Sequence, residues 1–137
     1  MMFDMLRTLR SYLIKNPTIA QHCNGRIRAF HYDETADTSN TYILIDPTIA
    51  PQPDTFASDT NLTTEYIYQI DVRGPNYDTV KLVQEAIRQT MWSIGFYQQD
   101  GIDQYDAEIR LYLDARRYRG NPYTIDELRH IDKDLNE

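Results

Sequence analysis

A chain of 137 residues is long enough to bury one hydrophobic core. Its apolar fraction of 41% excludes a disordered chain, and no stretch approaches the roughly 18 consecutive apolar residues of a membrane span. A formal charge of −7, from 21 acids against 14 bases, argues against general nucleic-acid or anionic-membrane binding, and a lone cysteine, Cys23, excludes an internal disulfide.

The N-terminal stretch lacks the layout of a signal peptide, because Asp4 and two arginines interrupt it. It reads instead as an amphipathic helix over Phe3 to Lys15, with Phe3, Leu6, Leu9, Leu13 and Ile14 near one stripe. Asn16-Pro17 ends it, since a residue before proline is pushed out of the helical region. Thr18 to Cys23 reads as one more helical turn, stopped by Asn24-Gly25. The first strand is expected over Arg26 to Tyr32, and a polar loop over Asp33 to Asn40. Thr41 to Asp46 is apolar on both faces and suits a central strand.

Prolines 47, 51 and 53 argue against ladder pairing, so 47–61 is expected to be a long Pro-rich loop. Leu62 to Arg73 alternates as a strand, with Tyr66, Tyr68, Ile70 and Val72 on one face. After the turn Gly74-Pro75-Asn76, Tyr77 to Ser93 reads as a helix. Its core stripe is Val80, Val83 (with Leu82), Ile87, Met91 and Ile94; its wet face is Lys81, Gln84, Glu85, Arg88 and Gln89. A short strand over Phe96 to Gln99, a turn at Asp100-Gly101 and a long strand over Tyr105 to Tyr118 follow. Thr124 and Glu127 have the spacing of a capping box ahead of a short helix near Ile125 to Lys133.

The expected class is therefore α+β: an antiparallel or mixed β-sheet with two main helices packed on one face, plus a short C-terminal helix. Residues 1–122 make one domain, and 123–137 a short helix and acidic tail.

Chemistry-bearing groups are sparse. His22 and Cys23 are adjacent, but sequence neighbours usually point apart, so a buried structural cysteine is the expectation. His31 and His130 do not pair at metal-ligating spacing. Asp100, Asp103, Asp106 and Glu108 form the densest acidic cluster but lack a calcium-loop arrangement and read as a solvated turn. Arg110, Arg116, Arg117 and Arg119 read as strand-end charges. No catalytic residue, metal ligand or cofactor is expected.

The pattern Y-x-Y-x-I-D-V-x-G-x-x-Y-D is carried by Tyr66, Tyr68, Ile70, Asp71, Val72, Gly74, Tyr77 and Asp78. With Leu82 or Val83, Ala86-Ile87 and the opening MLRTLRSYLIKNPTI, it resembles the tail-completion or tail-terminator (head–tail joining) proteins of long-tailed bacteriophages. The resemblance spans roughly residues 3 to 118 and implies a non-enzymatic virion subunit. Such a subunit forms a ring with itself, commonly a hexamer, caps the tail-tube protein and meets head–tail connector proteins. DNA is only passing cargo, and no membrane is involved. Tyrosine and arginine are favoured interface anchors. The expected contact residues are Tyr42, Leu44, Ile49, Phe56, Tyr66, Tyr68, Arg116, Arg117 and Tyr123. The alternatives are a non-viral binding or adaptor module, or a small enzyme using Cys23 with a histidine or the Asp100–Glu108 carboxylates.

Overall fold

The computed structural model describes residues 5–30, 39–48, 52–57 and 60–120, with backbone pairing alone for 52–57 and 60–64. Helix α1 (Met5–Lys15) buries Met5, Leu9, Tyr12 and Leu13, one stripe at helical spacing, while Ile14 points outward. Asn16 then caps α2 (Pro17–Cys23): its Oδ1 accepts from the Thr18 and Ile19 amides at 3.0 and 3.3 Å, and Pro17 opens the helix. Gly25 turns the chain out of α2 at φ +75.

Strand β1 is only Ile27–Ala29, shorter than the expected Arg26 to Tyr32. Phe30 adopts φ 67, outside the extended region, so the strand cannot continue through it. Strand β2 (Tyr42–Pro47) is bonded on both sides, parallel to β1 and antiparallel to β4 (Thr60–Gly74), as its two apolar faces foretold.

The Pro-rich segment is not all loop. Gln52–Ala57 forms β3, antiparallel to the first half of β4, with Phe56 opposite Asn61 and Gln52 opposite Glu65. Pro53 is tolerated because, among the described strands, β3 pairs only with β4 and so lies at an edge.

Helix α3 (Tyr77–Ser93) begins at Asn76, whose Oδ1 accepts from the Thr79 amide at 3.1 Å. It buries Val80, Val83, Ala86, Ile87 and Met91 against β4, β5 and β6. The second half of the chain departs from expectation. β5 is long (Phe96–Asp106) and β6 runs Leu111–Gly120, so the hairpin turn lies at 107–110 and not at Asp100-Gly101. The turn forms there because Asp106 Oδ1 accepts from the Glu108 amide at 3.0 Å and Arg110 takes φ 57. Asp100-Gly101 is instead a bulge, where the β5–β6 register shifts between Gln98 and Gly101. Gly101 suits it for lack of room, since a Cβ there would sit 2.4 Å from the Ala115 carbonyl oxygen.

The main sheet has the order β1-β2-β4-β6-β5, with β3 extending beside β4. This is an α+β fold with a mixed sheet, antiparallel except for β1–β2. The core lies between one sheet face and the helices. It is built from Leu9, Leu13, Ile19, Ile43, Ile45, Ile70, Ile87, Met91, Ile94, Phe96 and Tyr118. The expected C-terminal helix lies outside the described residues.

Candidate functional site

Polar chemistry concentrates where α3 crosses the β5–β6 hairpin. Asp103 and Asp114 stand directly opposite each other across the two strands, and like charges in that position repel. Lys81 resolves the conflict. Its Nζ donates to Asp114 Oδ2 at 2.7 Å and also to Asp103 Oδ2. Burial alone would lower the Lys81 amine, but hydrogen bonds and charge from Asp103 and Asp114 outweigh it and hold its pKa above the ordinary value. Asp114 is 2% exposed, and Arg116 grips it through Nε at 2.9 Å while donating to Gln98 Oε1 at 2.9 Å.

Gln84 is the second centre. It is fully buried, and its Nε2 donates to the Ile70 and Asp114 carbonyls at 3.2 and 2.8 Å. Its Oε1 accepts from the Tyr118 hydroxyl at 2.9 Å, and burial pushes the Tyr118 phenol above its usual range. Gln84 and Lys81 correct the expected wet face of α3. The signal was present: 80, 84, 87 and 91 fall on one helical stripe, so position 84 faces the sheet whatever its polarity.

Cys23 is fully buried, as the sequence suggested. Burial pushes its thiol up to about 12, against the opposing pull of Arg26, so it stays neutral and is not a nucleophile at ordinary pH. The Arg26 guanidinium is committed to the Thr41, Asn24 and His22 carbonyls. His31 and His130 lie outside the described residues, and among those described no three His, Cys, Asp or Glu side chains cluster in a metal-holding group.

Among the described residues, the expected contact residues are spread over different parts of the fold. Tyr68 is a core residue at 4% exposure, packed edge-on to Phe96, and Tyr66 stacks beside it at 6.0 Å. Tyr42 is buried and Leu44 half-buried on the sheet face away from the core cluster. Arg116 is committed to Asp114, whereas Arg117 is exposed and 4.0 Å from Asp100. Phe56 is placed by its backbone within β3, and Ile49 and Tyr123 lie outside the described residues. Among the described residues, Tyr97, Ile102, Tyr105 and Ile109 stand roughly half exposed along β5 and its turn, and Trp92 is 69% exposed on α3.

The buried polar groups thus brace the fold, while exposed aromatic and aliphatic groups mark its surfaces. No protein-family model matches the chain, and no curated protein matches it. A solved chain from the virion of a native gene transfer agent particle is similar in structure, with a TM-score of 0.61. The match covers 83% of this chain and 90% of that one at 10% identity, a likeness of fold.

Proposed function

We propose that this chain is a structural subunit of a phage-like virion that acts by assembly. In this reading copies of it close into a ring, commonly of six. The ring caps the tail tube and joins the tail to the head connector, with DNA passing through as cargo. The observation that carries the reading is the fold shared with a gene transfer agent virion chain over most of both lengths. The soft strand–turn–helix pattern around Gly74 supports it, as do the exposed apolar side chains of the β5 edge.

The test is sedimentation velocity across a concentration series, with electron microscopy of the heaviest species. Closed rings, and their attachment to the ends of tail tubes, are the expected outcome. A protein that stays monomeric at high concentration and never attaches to tubes would end the proposal.

A further inference from the structure

The sheet buries residues on both of its faces. The helices pack on one, with Ile43, Ile45, Ile70 and Val72. The register puts the intervening side chains on the other. Tyr42, Arg73 and Leu113 lie abreast across β2, β4 and β6, and Leu44, Asp71 and Ala115 form the next row. Leu111 continues this face along β6. Tyr42, Leu111 and Ala115 are only 4%, 6% and 4% exposed, yet none of them belongs to the core cluster. Asp71, in the middle of the face, is 7% exposed, and the Arg73 Nε is buried with no hydrogen-bond partner among the described residues. A sheet face left to solvent carries exposed polar side chains, and this one does not. Among the described residues no helix packs on it.

We propose that the chain's own C-terminal segment, residues 123–137, covers this face, with Ile125, Leu128, Ile131 and Leu135 set against Tyr42, Leu44, Leu111 and Leu113. The inference does not rest on the assembly reading above. Tyr42 and Leu111 are buried within a single chain, so a second copy is not needed to cover them. Strand β6 lies inside the sheet, between β4 and β5, and ends at Gly120, so the segment starts from the middle of the layer it would cover. Residues 121–137 reach up to about 40 Å even with a helix over 125–133. Leu111 is about 30 Å back along β6. In that helix Ile125, Leu128, Ile131 and Leu135 share one stripe, and Arg129 and Lys133 fall on the opposite side. So short a helix is marginal in water on its own, and burial of the stripe supplies what it lacks. The stretch 31–38 has no leucine, isoleucine or valine to offer, and residues 1–4 lead into α1 in the other layer. Charge does not select the occupant, because the face mixes Arg28, Arg73 and Arg117 with Asp46 and Asp71.

The experiment places a nitroxide on Lys133→Cys in the full chain, with mass spectrometry checking that buried Cys23 stays unlabelled, and reads leucine methyl resonances. Loss of the Leu44 and Leu113 signals is expected, with those of Leu9 and Leu13 under the helices retained. Adding Leu128→Asp/Ile131→Asp to the labelled chain is expected to restore the Leu44 and Leu113 signals. Signals of Leu44 and Leu113 that survive the label, or that stay lost in the double aspartate variant, would overturn the contact. Dilution with unlabelled wild-type copies separates the remaining case: a loss that disappears on dilution would assign the segment to a neighbouring copy and overturn the proposal as well. None of these readings depends on whether rings form, so the assembly reading stands or falls separately.

Discussion

At the residue scale, Gln84 shows how a polar side chain earns a place in a core. All of its hydrogen-bonding partners come from other elements: β4 through Ile70, β6 through Asp114 and Tyr118. Gln84→Ala strips three buried groups of their partner at once. It is expected to destabilise the fold by about 2–4 kcal/mol, read from urea unfolding. Cys23 makes a pH prediction. Its thiol ionises near 9 when unfolded and near 12 when folded, so the folded state holds the proton that the unfolded state has lost. Stability is therefore full below pH 9 and falls as pH rises through 9 to 12, by at most about 1.4 kcal/mol per unit from this group. The raised phenol of Tyr118 adds to the loss above its own ordinary value near 10. Cys23→Ala is expected to flatten the fall between pH 9 and 10, followed by urea midpoints at stepped pH. The burial of Cys23 was legible from its type; that of Gln84 was legible only from its place in the helical stripe and against its polarity.

At the element scale, Lys81 joins α3 to both strands of the hairpin. Lys81→Met removes the one cation between Asp103 and Asp114, with only Arg116 left on the buried carboxylate. The expected loss is about 1–3 kcal/mol, smaller than for a fully uncompensated buried charge. Asp103→Asn in the Lys81→Met background should recover part of it, which thermal or urea unfolding of the double variant would show. The helices were readable because their stripes and caps are local. The strand boundaries were harder. Asp100-Gly101 has the chemistry of a turn, but the neighbouring strand β6 has enough residues to pair on both sides of it, which makes it a bulge. The hairpin turn instead sits in Ala107–Arg110, which lacks glycine and proline and carries no strong turn signal. Likewise, the prolines of 47–61 excluded a central strand correctly but not an edge strand.

For the molecule as a whole, strand order is what local pattern does not show: β1 and β5 lie at opposite edges of the main sheet, although several elements separate them along the chain. The likeness to a virion chain is similarly a property of the fold, with 10% identity leaving little for sequence to reveal. The expected contact residues were chosen for residue type, and types favoured at interfaces are also favoured in cores, as Tyr68 shows.

One consequence concerns how the chain is made. Strand β4 bonds to β2, β3 and β6, so it is the member on which the rest of the sheet depends. During synthesis β2 and β3 emerge before it, but β6 is among the last elements translated. One long flank of β4 therefore stays open until residues 111–120 leave the ribosome, with α3 and β5 already made. A chain interrupted in that interval would expose unpaired backbone along its most central strand, and such edges are where neighbouring nascent chains aggregate.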